Sequence, residues 1–145
     1  MKVRFKKLDP GATVPSYATE FSAGADLYNL GCEVTIAPHA TVLIHTGIAM
    51  EIPEGYCGLV FARSGLASKR GLAPANKVGV IDADYRGEIM VALHNHTDKE
   101  ATVAPRERLA QLAIVPFLKA DFEEVENLTE TVRGCGGFGS TGTLG

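Results

Sequence analysis

The segment Glu88-Ile89-Met90-Val91-Ala92-Leu93-His94 alternates strictly, with Ile89, Val91 and Leu93 falling on one face of an extended chain. Period two with one apolar face predicts a half-buried β-strand. Residues 41–52 repeat the pattern less evenly: Val42, Ile44 and Ile48 are apolar and Gly47 interrupts them, which predicts a strand with a bulge or bend. Turn signals at Asp9-Pro10-Gly11, Pro53-Glu54-Gly55, Arg86-Gly87 and residues 94–99 recur at the spacing of short antiparallel strands. Helical signals are brief. Ser64-Gly65-Leu66-Ala67-Ser68-Lys69-Arg70-Gly71 offers Ser64 as an N-cap, two basic residues in the last turn and Gly71 behind them, enough for one or two turns. Parallel strands need long crossover helices, and the chain has none, so the pattern predicts an all-β sandwich or jelly roll.

A chain of 145 residues that is 46% apolar builds one domain around one core. Its formal charge of −3 argues against holding nucleic acid through a general basic surface. No apolar run reaches the ~20 residues that span a bilayer, and the N-terminus runs into charged residues instead of a signal-like apolar stretch. The expectation is an intracellular, cytoplasmic protein with no membrane partner. Cys32, Cys57 and Cys135 are odd in number and far apart, which predicts free thiols. His94-x-His96 could project two imidazoles from one strand face, yet no third ligand is apparent, so a surface pair is expected.

Glycine is unevenly spread: six of the sixteen lie in the last twelve residues. From Thr129 onward one Val, one Phe and one Leu among glycine and hydroxyl residues cannot build a core, which divides the chain into a domain at residues 1–128 and a flexible arm at residues 129–145. Fully extended, the arm reaches roughly 55 Å, against a radius of gyration of roughly 15 Å for the domain, so it could cross to a neighbouring subunit. Gly134-Cys135-Gly136-Gly137-Phe138-Gly139 formally matches G-x-G-x-x-G, but no strand–helix unit surrounds it, and no Lys follows as a P-loop requires. What remains is unblocked backbone N–H, Arg133, two hydroxyls and Phe138, parts that suit a phosphate-bearing ligand with a flat base.

Five ordered segments together resemble the trimeric deoxyuridine triphosphatase (dUTPase) family. They are Ala23-Gly24-Ala25-Asp26-Leu27-Tyr28; Arg63-Ser64-Gly65-Leu66; Gly79-Val80-Ile81-Asp82-Ala83-Asp84-Tyr85-Arg86-Gly87-Glu88; Arg108-Leu109-Ala110-Gln111-Leu112; and Arg133-Gly134-Cys135-Gly136-Gly137-Phe138-Gly139-Ser140-Thr141-Gly142. The resemblance implies a distorted jelly roll, a homotrimer whose sites gather segments from three chains, and Mg2+-assisted hydrolysis of dUTP to dUMP and pyrophosphate. Such an activity keeps uracil out of DNA and supplies dUMP for thymidylate synthesis.

The same resemblance implies the residue roles. Asp82 is the carboxylate that deprotonates the attacking water, for which a carboxylate within hydrogen-bond reach is competent. Asp84, two residues on, is set aside because residues 83–87 read as a turn. Tyr85 lies beneath the deoxyribose and excludes a 2′-hydroxyl, while Asn76, Gly79 and Ile81 belong to the hairpin whose backbone holds uracil. Arg63, Ser64, Gly65 and Gln111 contact the phosphates. Arg133, Gly139, Ser140 and Thr141 close over them with Phe138 stacked on the base. Asp26 approaches Mg2+ through water, consistent with a cation that keeps its waters and prefers substrate phosphates.

Three positions depart from the family's pattern: Ala62 replaces a common Pro, Arg106-Glu107 replaces a common Gly-Asp, and Cys135 fills a variable place on an accessible segment. None removes a group from the expected site. Two rival readings follow from the same scaffold, a dCTP deaminase and a non-catalytic nucleotide-binding protein. Tyr85 with the complete arm favours the pyrophosphatase over the first, and the retention of Asp82, Gln111, Arg133 and Phe138 favours it over the second.

Overall fold

The alternation read from residues 88–94 is the spine of the molecule. In the computed structural model, which describes residues 1–137, β8 (Glu88–Asn95) buries every second side chain, with Ile89, Val91 and Leu93 at most 2% exposed. Ten strands and one helix, in chain order, make up the described fold. They are β1 (Arg4–Lys7), β2 (Ala25–Tyr28), β3 (Val34–Ile36), β4 (Thr41–Glu51), β5 (Tyr56–Ala62), α1 (Ser64–Arg70), β6 (Leu72–Pro74), β7 (Gly79–Ile81), β8, β9 (Ala101–Val103) and β10 (Arg108–Pro116).

Two four-stranded sheets, ordered β1-β4-β8-β6 and β2-β10-β5-β7, are joined by a β3-β9 ribbon, and every pairing is antiparallel. This is the jelly-roll arrangement expected of short strands without crossover helices. Leu27, Ile36, Ile44, Ile48, Leu72 and Leu109 join the three β8 side chains in one contiguous core. The bulge expected in residues 41–52 lies between His45 and Ala49 of β4, where Gly47 has φ +68°. A side chain there would put Cβ 2.9 Å from Ala12 Cβ, so glycine is required on two counts.

Two buried asparagines tie the loops to this core. Asn95 is fully buried; its Nδ2 donates to the carbonyls of Ile36, Ala37 and Lys99, and its Oδ1 accepts from Thr97. Asn29 does the same for Cys32 and Ala104. The three cysteines are free thiols, as the spacing predicts.

One local expectation is corrected. Ser64 does not cap α1; it is the first helical residue, and Arg63 occupies the N-cap position in extended conformation with no side-chain cap hydrogen bond. The Arg63 side chain turns instead toward Asp26. The C-terminal reading holds: Gly71 adopts the left-handed conformation and returns its N–H to Ala67. Among the described residues, regular structure ends with β10 at Pro116. Residues 117–137 contain no strand or helix, and Leu118, Phe122, Leu128 and Val132 are each at least 86% exposed. No helix among the described residues is long and apolar enough to cross a membrane.

Candidate active site

The predicted residues form two clusters in the β2-β10-β5-β7 sheet. In the first, β10 lies between β2 and β5 and pairs Gln111 with Asp26 on one side and with Phe61 on the other. Cross-strand partners share a face, so Asp26 and Gln111 project together. Gly24 permits this contact, since a Cβ there would stand 3.0 Å from Gln111 Cβ.

Asp26 is 2% exposed, and a buried carboxylate needs partners. Its Oδ1 accepts from Arg63 Nε at 2.8 Å and its Oδ2 from Arg108 Nη1 at 3.3 Å. Two guanidiniums around one carboxylate leave a net positive cluster beside Gln111 and the exposed Ser64 and Gly65. Arg108 has no assigned role in the sequence reading, although it opens the segment that carries Gln111. Only the fold brings it onto Asp26, 82 residues away.

The second cluster lies around β7 and the turn that follows it; the hairpin expected over residues 76–85 is instead a strand paired with β5 and a turn. Chain direction reverses after Ile81, with Tyr85 N–H donating to Asp82 O at 3.2 Å, and residues 82–87 form no strand, which matches the turn expected around Asp84. Arg86 Nη1 ties the turn by donating to the carbonyls of Ala83 and Tyr85. Asp82 and Tyr85 border a pocket of about 220 Å³ with Val80, Ile81, Glu88 and Met90. Asn76 and Gly79 line a second pocket of about 100 Å³ that shares Val80, Ile81 and Met90 with the first.

Tyr85 Oη donates to Glu88 O at 3.0 Å, and the ring lies over Gly87, where a Cβ would collide with it. Glu88 is a further residue that the sequence reading left without a role. Burial pushes its carboxyl up, but a hydrogen bond from His45, another from Gly47 N–H and the nearby His45 charge together hold it below its ordinary value.

Asp82 and Arg63 lie at different points along β5. Ile81 is paired with Gly58 of β5, whereas Arg63 follows Ala62 at the opposite end of that strand. At ~3.3 Å per residue, Asp82 and Arg63 are separated by roughly 20 Å along the sheet. Of the arm, Arg133 donates Nε to Gly136 O at 2.8 Å. Phe138, Gly139, Ser140 and Thr141 lie outside the described residues.

No group of three or more His, Cys, Asp or Glu among the described residues could hold a metal ion. Asp26 already accepts one guanidinium N–H on each oxygen. Each of its oxygens keeps a lone pair able to accept from a metal-bound water. That donor set fits Mg2+ carried on phosphates, and does not fit a protein-built cage.

The sequence profile of the dUTPase family matches residues 11–142. The chain belongs to the dUTPase family. A deoxyuridine 5′-triphosphate nucleotidohydrolase of Hydrogenobaculum sp. is 49% identical over 142 residues, covering 98% of this chain and 99% of its own. Among solved structures, the dUTPase of Staphylococcus bacteriophage 80alpha with dUPNHPP superimposes with a TM-score of 0.90 at 29% identity, covering 98% of this chain and 99% of its own. A variant dUTPase of phage phi11 of S. aureus, described with the coordination of a structural Mg(II) ion, has a TM-score of 0.79 at 27% identity, covering 88% of this chain and 98% of its own.

Proposed function

We propose that this dUTPase-family chain hydrolyses dUTP to dUMP and pyrophosphate at sites shared between copies. The observation that carries the reading is the division of β5. Its Gly58 end holds a pocket with the Asp82 carboxylate and the Tyr85 ring, and the cationic Arg63–Gln111 cluster lies past its Ala62 end. A triphosphate of a few ångström-scale links cannot bridge roughly 20 Å on one chain. Copies placed with the β7 turn of one against the Arg63 end of the next bring the halves together, which supports composite sites, and the family resemblance makes that assembly a homotrimer.

In that arrangement Tyr85 packs under the sugar, and backbone groups near Gly79 and Ile81, helped by Asn76, read the uracil edge. A polar edge with fixed donors and acceptors discriminates more sharply than apolar contact does. Arg63, Ser64, Gly65 and Gln111 hold the phosphates, and Asp26 fixes the Arg63 guanidinium. Asp82 takes a proton from water as the water oxygen bonds to the α-phosphorus; the bond from that phosphorus to the bridging oxygen breaks and pyrophosphate leaves. Mg2+ carried on the phosphates supplies neutralisation of the charge that builds on the leaving group.

The arm at residues 129–145 follows residues 117–128, which contain no strand or helix, and the exposed apolar side chains of Leu118, Phe122, Leu128 and Val132 support seating on another copy. From there Arg133, Phe138, Gly139, Ser140 and Thr141 close over the nucleotide.

Pyrophosphate release with Mg2+, measured on dUTP, UTP, dTTP and dCTP, tests the reading. Wild type is expected to act on dUTP alone and Asp82→Asn to lose turnover. Absence of product from dUTP overturns the activity, and full activity of Asp82→Asn overturns the role of Asp82. Co-expressing Asp82→Asn with Gln111→Ala tests sharing: composite sites regain activity in mixed assemblies, whereas sites within one chain stay inactive. Deleting residues 133–145 should cut turnover and leave the assembly folded; a truncated chain that unfolds would make the arm structural instead.

A further inference from the structure

At the bulge, β4 uses two residues more than β8 between the paired positions His45↔Met90 and Ala49↔Glu88. The ladder is therefore interrupted on one side of Glu88, and on its other side Gly87 lies outside any strand. Backbone pairing alone holds this first residue of β8 weakly. Its side chain supplies what the ladder lacks: Glu88 Oε1 accepts from Gly47 N–H at 2.7 Å, and Oε2 lies 2.8 Å from His45 Nδ1. The carboxylate is 18% exposed and kept ionised by these partners, and hydrogen bonds to an ionised acceptor are the stronger kind. The backbone carbonyl of the same residue receives the Tyr85 hydroxyl.

We propose that Glu88 and His45 are positioning residues for sugar discrimination: they clamp β8 to the β4 bulge and so fix the acceptor that aims the Tyr85 ring. The proposal rests on the reading that Tyr85 excludes a 2′-hydroxyl. Exclusion of one oxygen atom works through the steep repulsive wall of van der Waals contact, so a ring free to shift by a fraction of an ångström admits the ribonucleotide. Neither Glu88 nor His45 needs to touch the nucleotide for this effect.

The test measures kcat and KM for dUTP and UTP, with the unfolding midpoint, in wild type, Glu88→Ala, Glu88→Gln and His45→Gln. Glu88→Ala is expected to lower the dUTP-to-UTP ratio of kcat/KM by about tenfold, and His45→Gln, outside the pocket lining, to keep kcat for dUTP within about threefold. Gln keeps an acceptor for Gly47 N–H, so Glu88→Gln restores most of the ratio. His45→Gln, at a side chain 61% exposed, falls between them without a large change in unfolding midpoint. If Glu88→Ala does not fold, His45→Gln decides: an unchanged ratio overturns the proposal. So does a wild-type ratio in Glu88→Ala, or a ratio that falls only in step with the unfolding midpoint and is not rescued by Gln. A wild-type protein that hydrolyses dUTP and UTP alike overturns the Tyr85 reading as well; discrimination kept by wild type and variants alike overturns this proposal alone.

Discussion

Replacing Asp26 with alanine strands two guanidiniums. The carboxylate side chain is 3% exposed, and its partners Arg63 and Arg108 are 22% and 47% exposed. Breaking a buried ion pair from one side costs ~3–5 kcal/mol, because the remaining charge loses its partner without regaining water. Arg108 can reach solvent, so its share is discounted to at most ~1 kcal/mol. Arg63 is more confined but still 22% exposed, which discounts the expected loss to somewhat below that range, about 2–3 kcal/mol. For a chain of this size that lowers the unfolding midpoint by roughly 6–12 °C. Asp26→Asn keeps the shape but turns an amide donor toward one guanidinium, so about half the loss is expected.

Calorimetry at one fixed protein concentration measures the effect, since association couples to the midpoint. A double-mutant cycle with Arg63→Ala should give a larger coupling than one with Arg108→Ala. Steady-state kinetics of Asp26→Asn then separate two roles: loss of Arg63 anchoring raises KM for dUTP, whereas loss of a water bridge to the metal raises the Mg2+ concentration needed for half-maximal rate. An Asp26→Ala protein that unfolds within about 2 °C of wild type would refute the ion-pair reasoning.

Other perturbations follow from single contacts. Gly87→Ala places a methyl group against the Tyr85 ring, and should reduce discrimination against UTP with little change in midpoint; equal discrimination would show that the ring is not held there. Asn95→Leu removes the donor for three carbonyls at a fully buried site and should cost at least ~3 kcal/mol in urea unfolding, given ~1–3 kcal/mol for each buried group left unpaired. Glu88 has a folded pKa below its ordinary 4.5, so its ionised form stabilises the fold fully above that pH and the contribution is lost as pH falls through the folded value. The stability difference between wild type and Glu88→Gln should therefore shrink on acidification below 4.5; a difference that grows would reverse the sign assigned here.

Sequence pattern alone determined the class of fold. Period two in β8 and glycine or proline at the turns are local properties, and a strand with one apolar face has to bury it against another sheet. The order of five short segments was legible for the same reason: each segment keeps its chemistry within a few residues. Even the odd glycine in β4 announced a bulge before its partner was known.

Tertiary structure decided what those segments do to one another. Asp26, Arg63 and Arg108 are distant in sequence and meet only because β10 lies between β2 and β5. Glu88 reads as an ordinary outward residue of an alternating strand until the register slip at Gly47 gives its carboxylate two donors. Arg63 shows the competition directly, since local chemistry favoured Ser64 as the cap while the buried charge of Asp26 drew Arg63 across the sheet. β10 ends at Pro116, and the exposure of Leu118, Phe122 and Leu128 beyond it is a fact of the fold that composition does not carry. Periodicity is a property of the chain; pairing partners and register are set by which faces must be buried together, and that is a property of the whole fold.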